Sequence, residues 1–319
     1  MKNKLVSIVI SAFNEQDNVA ELYREINKQT DKIKNVDFEF IYVDDGSADE
    51  TYVRCLALRQ KDKRVKVVQL KRNFGHEIAM TAGMDYAKGD AVIFMDADLQ
   101  HPPKYIPQMV AMWQQGKEIV LTKRVDNRDT SRFYKWCAKT FYFILNKLSD
   151  TKILESAPDF RLLDRKYVNF LKGFNEQDRL FRGLLSWMLP QKNIGMIEFV
   201  SPPRFAGASK YNFWKSSRLA INSVVQFSVF PLRLATYLGL LTAVCSGFFG
   251  LYVFAEYFFL NKPTPGYATI MVTVIFLGAV QLICLGIVGE YIGKIHMEVK
   301  KRPLYVADYI GETKEKQDA

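Results

Sequence analysis

The first 120 residues predict an α/β fold built on a largely parallel sheet with helices on both faces. Three observations predict it: short β-branched runs occur at strand length, helical patterns separate them, and a polar cluster follows each of the first four runs. Strands are expected at Val6–Ile10, Phe38–Val43, Val65–Leu70, Ala91–Met95 and Ile119–Thr122, with helices near Asn18–Gln29, Thr51–Gln60, Glu77–Ala87 and Lys104–Gln115. In such sheets ligands bind beyond the carboxyl ends of the strands, so the chemistry belongs directly after each run.

The residues found there are polar and reactive. Ser11-Ala12-Phe13-Asn14-Glu15 follows the first run, Asp44-Asp45-Gly46-Ser47-Ala48-Asp49 the second, Lys71-Arg72-Asn73-Phe74-Gly75-His76 the third and Asp96-Ala97-Asp98-Leu99-Gln100 the fourth. The first turn carries neither a Gly-rich dinucleotide fingerprint nor a phosphate loop, which argues against a nicotinamide enzyme and a P-loop ATPase.

Asp96 and Asp98 leave a buried strand on alternate positions, where both reach one hard cation, with diphosphate oxygens and water completing its shell. Such an ion neutralises charge building on a departing diphosphate. An isolated Asp-x-Asp reads first as a solvated turn; its place after an apolar strand, among the other rim clusters, favours the metal reading. Asp45 is positioned to accept a hydrogen bond from a nucleobase N–H, Asp44 to brace the turn and Asp49 to cap the next helix. Arg72 and the Asn73–His76 backbone reach a sugar or diphosphate, or form an ordinary strand–helix loop. His76, His101 and His296 have no sequence partners suggesting a metal site, and none is expected in catalysis.

Asp159, after Glu155-Ser156-Ala157-Pro158, is a carboxylate that can face an acceptor. A phosphate monoester acceptor, with a second pKa near 6, arrives largely ionised and needs orientation more than a base. Its anion needs cations. Arg204, Lys210, Lys215 and Arg218 form a stretch without an acid, with Ser209-Lys210-Tyr211 inside it and Phe213-Trp214 beside it, on an amphipathic run at 211–230. That run places a phosphate site at headgroup height, or simply anchors the chain. Lys123-Arg124 through Arg128 and Arg132 reads as a loop over the donor or acceptor phosphate.

Two uncharged runs, Leu234–Ala255 and Pro263–Gly289, are each long enough to cross a hydrocarbon core of about 30 Å as helices. The alternative is a pair of buried core helices. Met1-Lys2-Asn3-Lys4 precedes only Leu5–Ile10, too short for a signal core. Lys210, Lys215, Arg218 and Arg233 flank the first span, and Lys294, Lys300, Lys301 and Arg302 follow the second, whereas the connecting loop holds one basic residue, Lys262. Both termini are therefore expected in the cytoplasm, at the inner (plasma) membrane. The net charge of +10 partly reflects this collar; no nucleic-acid recognition motif accompanies it. Cys55, Cys137, Cys245 and Cys284 lack metal-ligand spacing and read as packing residues in a reducing compartment. The expected organisation is a cytosolic domain at 1–210, an interfacial helix at 211–230, spans at 231–260 and 264–293, and a basic tail at 294–319.

Taken in order, Val6–Ile10 with Asn14-Glu15, Val43-Asp44-Asp45-Gly46-Ser47, Arg72-Asn73-Phe74-Gly75, Met95 through Pro103, Asp159-Phe160-Arg161, Ser209-Lys210-Tyr211 and two carboxy-terminal spans resemble glycosyltransferase family 2. The similarity is to its polyprenyl-phosphate branch, which includes dolichyl-phosphate mannose synthases and bactoprenol glucosyltransferases. It covers nearly the whole chain. It implies a GT-A fold, an Mg²⁺ or Mn²⁺ ion, a nucleotide-sugar donor, a polyprenyl-phosphate acceptor, inversion at the anomeric carbon and a homo-oligomer. Carried over by position, Asn14, Glu15, Asp45, Arg72, Asp96 and Gln100 would bind the nucleotide sugar, and Asp96 and Asp98 the metal. Asp98 and Asp159 would act at the reacting centre, and Arg128, Arg204, Ser209 and Lys210 on the acceptor phosphate. The branch points to glucose and UDP. One departure is Ser11-Ala12-Phe13, where Pro followed by Tyr or Phe is usual. A processive polysaccharide synthase would carry a Gln-x-x-Arg-Trp element, and Gln177, Arg182 and Trp187 lack that spacing; a non-catalytic scaffold or flippase accessory would have lost the rim carboxylates, which are present.

Overall fold

A computed structural model describes residues 3–125, 158–174, 176–177, 179, 181–188, 193–200, 202, 230–260 and 266–310. The chain divides into two units, one holding the amino-terminal part and the segment from Arg302, the other holding the long helices.

In the first unit the expected alternation is present: β1 (Lys4–Ala12), α1 (Gln16–Thr30), β2 (Val36–Asp44), α2 (Thr51–Lys61), β3 (Val65–Leu70), α3 (His76–Tyr86) and β4 (Ala91–Asp96). A 3₁₀ turn at Pro103–Tyr105 leads into α4 (Ile106–Gln114), and β5 spans Ile119–Arg124. Beyond them lie β6 (Arg161–Asp164), α5 (Arg165–Lys172), α6 (Phe181–Met188), β7 (Ile194–Phe199) and β8 (Ala307–Ile310). Among the described residues they make one eight-stranded sheet in the order β7-β5-β6-β4-β1-β2-β3-β8. β1 runs parallel to β2 and β4, and β2 to β3, while β6 lies antiparallel between β4 and β5 and β8 antiparallel on β3. The sheet is therefore mixed, with four strands, β4-β1-β2-β3, as its parallel centre.

Successive residues of the central strands serve opposite cores. Ile8, Phe40, Tyr42 and Ile93 face one cluster with Leu22 and Ile26 of α1 and Met109 and Trp113 of α4. Val9, Ile41, Val43 and Phe94 face the other, with Met80 and Ala82 of α3 and Leu171 and Leu184 of α5 and α6. Strands covered on both faces need apolar residues at every position, which gives Val6–Ile10 its unbroken run apart from buried Ser7. Ser7 is satisfied by Glu39, 2.5 Å away, which also pairs with Lys66.

The segment expected as a basic tail contains β8. Tyr309 stacks on Tyr86 of α3, Asp308 pairs with Lys71, and the Tyr305 hydroxyl donates to Asp85 at 2.9 Å. Four residues of local sequence carry no strand signal; the pairing arises because β3 offers an open edge.

The second unit contains α7 (Phe230–Leu260) and α8 (Tyr267–Val299). At 1.5 Å per residue each is about 45–50 Å long. None of the most apolar window of either helix is buried, and Phe248 and Leu282 expose 70% and 69% of their surface. Buried core helices would hide these side chains, so that alternative is set aside; the two are candidate transmembrane helices. The residues at 211–229, expected as an interfacial helix, lie outside the described residues.

Candidate active site

The parallel strands β1, β2, β3 and β4 deliver their carboxyl ends to one rim. The register pairs Ser11 with Asp96 and Ala12 with Asp44, so the loops after β1, β2 and β4 start side by side. Backbone bonds extend the contact: Asp45 N donates to Ala12 O at 2.9 Å and Ala97 N to Ser11 O at 3.0 Å.

The first and second loops are knitted together by Asn14, whose backbone takes a left-handed conformation (φ 54°). Its N–H donates to Ser47 Oγ and its side-chain oxygen accepts from Ala48 N, both at 2.9 Å. Glu15 N donates to Thr51 Oγ1 at 2.9 Å. Asp44 Oδ1 accepts from Ser47 N at 3.2 Å and so braces the turn as expected, whereas Asp49, expected as a helix cap, accepts from Thr51 N and Gln16 N from one residue before the N-cap, Glu50. Asp45, expected to meet a nucleobase, has its two carboxylate oxygens on the backbone amides of Phe74 (2.8 Å) and Gly75 (3.0 Å). Burial pushes its carboxyl above the ordinary aspartate range against the pull of those amides. Gly46 sits at φ +67° beneath the same loop, and a Cβ there would lie 2.4 Å from the carbonyl carbon of Arg72. The loop after β3 is thus fixed from below, and the Arg72 guanidinium lies 4.3 Å from the centre of the Phe74 ring on an exposed part of it.

The loop after β4 carries the carboxylate pair. Asp96 is about one third exposed and Asp98 nearly buried. Asp98 Oδ1 accepts from Gln100 N at 3.0 Å across Leu99, a non-glycine residue at φ 61°, a conformation that costs energy and aims Asp98 and Gln100 from a tight turn. Asp96 N donates to Nδ1 of His101, 3.0 Å away, which places the His101 proton on Nε2; the ring stacks on Phe160. His101 is therefore a packed support for the turn.

Asp159 reaches this rim from the segment leading into β6. It is 5% exposed and pairs with buried Arg161, whose guanidinium faces the Phe181 ring. Between Asp96 and Asp159 stands His76, the first residue of α3. Its Nδ1 is 3.0 Å from Ser11 Oγ and 3.3 Å from Asp96 Oδ1, and its Nε2 is 3.4 Å from Asp159 Oδ2. Partial desolvation opposes a charge on His76, but the Asp96 and Asp159 carboxylates outweigh it and push its pKa up to about 10. The neighbouring Glu77 accepts from Phe181 N at 2.9 Å, and burial together with the Asp159 charge raises its pKa. The sequence offers no catalytic partner for His76; the structure sets it between Asp96 and Asp159. Its partners are far along the chain, and the parallel register of β1 and β4 is the signal that brings them together. Ser11, noted only as a departure, contributes a hydroxyl that donates to Asp96 at 2.9 Å.

The structure thus gathers Asn14, Glu15, Asp45, Arg72, Asp96, Asp98, Gln100 and Asp159 on the rim or the loops that build it. Arg128, Arg204, Ser209 and Lys210 lie outside the described residues. Among the described residues no group of three or more His, Cys, Asp or Glu side chains is arranged as a closed metal cage. Asp96 and Asp98 supply hard oxygen donors on an open rim, which fits an Mg²⁺ or Mn²⁺ ion that draws most of its shell from a diphosphate and water.

Comparison with known proteins gives the family of the chain. Residues 7–171 match the family model for glycosyl transferase family 2, and residues 230–295 match the GtrB C-terminal hairpin. The chain is 40% identical over 301 residues to the SfII prophage-derived bactoprenol glucosyl transferase of Shigella flexneri, covering 94% of this chain and 96% of that protein. It is 37% identical over 301 residues to a prophage bactoprenol glucosyl transferase homolog of Escherichia coli, covering 94% and 97%. Among solved structures, glucosyl-3-phosphoglycerate synthase of Mycobacterium tuberculosis, in complex with Mn²⁺, UDP-glucose and phosphoglyceric acid, matches with a TM-score of 0.47 and 17% identity over 70% of this chain and 78% of that one. With a family model spanning the rim and relatives similar along nearly their whole length, the chain belongs to glycosyl transferase family 2 and is a glycosyltransferase with a GT-A-like mixed sheet.

Proposed function

We propose that this enzyme transfers glucose from UDP-glucose to a polyprenyl phosphate, undecaprenyl phosphate in a bacterial membrane, with inversion at the anomeric carbon. The observation that carries the reading is the joint presence of a carboxylate rim and a carboxy-terminal helix hairpin in a chain that matches bactoprenol glucosyl transferases across 94% of its length.

The donor diphosphate lies at Asp96 and Asp98, with Gln100 at the same turn. Asn14, Glu15 and Asp45 hold the loops that receive the nucleotide, and Asp45 keeps a second lone pair on each oxygen for a base N–H. Arg72, on the exposed side of its loop, meets the diphosphate or sugar. Asp96 and Asp98 would hold an Mg²⁺ or Mn²⁺ ion, which when bound would supply Lewis-acid neutralisation of the leaving diphosphate. The acceptor phosphate is already ionised near neutral pH. One of its oxygens attacks the anomeric carbon on the face opposite the diphosphate; the new C–O bond forms as the bond to UDP breaks, and the electron pair leaves with UDP. No proton has to be removed from this nucleophile, so Asp159, held by Arg161, orients the acceptor. Arg128, Arg204, Ser209 and Lys210 grip the acceptor phosphate.

The helices α7 and α8 cross the inner (plasma) membrane as a hairpin, with the catalytic unit and both termini in the cytoplasm. Support comes from the basic flanks and from β8: a strand that follows α8 joins the sheet formed before α7, which requires an even number of crossings. Close helix contact at Gly289 and Gly293 would assemble a homo-oligomer; a monomeric mass in native-like lipid would remove that part of the reading.

Incubating the purified protein with undecaprenyl phosphate, divalent metal and a panel of nucleotide sugars, and weighing the lipid product, tests the function. UDP-glucose should give a lipid heavier by one hexose. A different sugar would overturn the glucose assignment, and no lipid product with any donor would overturn the reaction. Lys210→Ala should raise the acceptor KM and leave the donor KM unchanged.

A further inference from the structure

His76 and Ser11 form a bridge that the donor and acceptor assignments leave unused. The Ser11 hydroxyl donates to Asp96 Oδ1 at 2.9 Å and lies 3.0 Å from His76 Nδ1, and the opposite ring nitrogen of His76 faces Asp159 Oδ2 at 3.4 Å. One imidazole thus spans the carboxylate assigned to the diphosphate and the carboxylate assigned to the acceptor. The ring's geometry is fixed from both directions. His76 opens α3 directly after the Phe74–Gly75 amides held by Asp45, and Ser11 sits opposite Asp96 in the β1–β4 register. Its side chain is 38% exposed on the rim, where a packing role alone does not account for contacts at both nitrogens.

We propose that His76, assisted by Ser11, is a positioning residue that couples Asp96 to Asp159, so that the metal-side and acceptor-side carboxylates take their working rotamers together. The inference rests on the function proposed above, for it gives Asp96 and Asp159 their two roles. A supporting side chain that orients a ligating carboxylate typically changes metal affinity or turnover by about 10-fold or more when removed. The coupling has a direction on each side: the Nδ1 edge acts on Asp96 and hence on metal, and the Nε2 edge acts on Asp159 and hence on the acceptor step.

Two isosteric substitutions separate these edges. The amide of Asn reproduces the Nδ1 position and that of Gln the Nε2 position. Both replace the ring by the same neutral amide, so the difference between them reads geometry alone. His76→Asn and His76→Gln in the full-length protein would be titrated with Mn²⁺ in the presence of UDP, following free Mn²⁺ by electron paramagnetic resonance, and then assayed for glucosyl transfer at saturating metal and donor. The inference expects His76→Gln to bind Mn²⁺ more weakly than His76→Asn by about 5-fold, and His76→Asn to show the lower kcat by about 10-fold. Ser11→Ala should follow His76→Gln in weakened Mn²⁺ binding, and this arm decides the matter if either His76 variant fails to fold. Equal Mn²⁺ affinities and equal kcat values in the two His76 variants, or Ser11→Ala binding Mn²⁺ like wild type, overturn the coupling. Failure of the wild-type protein to glucosylate polyprenyl phosphate would sink the proposed function separately, because the Mn²⁺ titration needs no acceptor.

Discussion

Tyr309 stacks on Tyr86 with ring centroids 4.3 Å apart and planes within 11°, joining the last described strand to the helix that follows the β3 loop. With the β3–β8 ladder, this ties the segment following α8 to the edge of the sheet that leads into Arg72–His76. Tyr309→Ala should remove about 1–2 kcal/mol of stability, from the lost stacking and part of the ring's buried area. That appears as a melting temperature lower by about 2–8 °C for the detergent-solubilised protein. An unchanged melt would mean that β8 adds nothing to the sheet. Asp308→Ala should matter less, because the Lys71–Asp308 pair is more than half exposed.

Gly46 has no room for a side chain. Its left-handed φ of +67° disfavours one, and a Cβ would press on the backbone of Arg72 and Asn73 at 2.4–2.8 Å. Gly46→Ala should push the β3 loop outward, raising the donor KM about 10-fold or more while changing the acceptor KM little. Steady-state kinetics with each substrate varied separately makes the comparison.

Asp45 closes on the same loop from its carboxylate. Asp45→Ala strips the Phe74 and Gly75 amides of their acceptor at a cost of about 1.5–3 kcal/mol per charge-assisted bond, whereas Asp45→Asn keeps one oxygen. The predicted order of UDP affinity, by calorimetry, is wild type, then Asn, then Ala. An Ala variant that binds UDP like wild type would exclude both the bracing role and base contact.

Glu39 gives the pH dependence its sign. Burial alone would raise its pKa, but bonds from Lys66, Ser7 and the Lys88 amide bring it below the ordinary glutamate value. A carboxyl depressed in the folded state contributes stability that is fully present above its unfolded pKa of about 4.3 and is lost as pH falls through the folded value. Glu39→Gln should therefore be less stable than wild type at pH 7, with the gap narrowing below about pH 4. Denaturant titrations at the two pH values measure it; a gap that widens in acid would contradict the assignment.

The central sheet was legible because its strands are apolar on both faces and its helices keep their period: β3 runs over Val65–Leu70 as expected, and the other four expected strands are extended by one to four residues. β6 was not. It is four residues long, begins with a buried arginine, and pairs with strands distant in sequence, so nothing local marks it. β8 fails for the same reason, sitting after a basic run where solvent exposure is the natural reading. The rim carboxylates were legible from their place after strands. The role of His76 was not, because its partners meet only through register, and Ser11 is in sequence only a departure from the family pattern until that register sets its hydroxyl against Asp96.

The central claim is that Asp96 and Asp98 together hold the metal–diphosphate unit. Its most direct test is metal-dependent glucosyl transfer to undecaprenyl phosphate by Asp96→Asn and Asp98→Asn, with membrane insertion and melting temperature measured in parallel. The account predicts that each variant inserts and melts like wild type yet loses at least about 100-fold in turnover; wild-type turnover in either variant would contradict it.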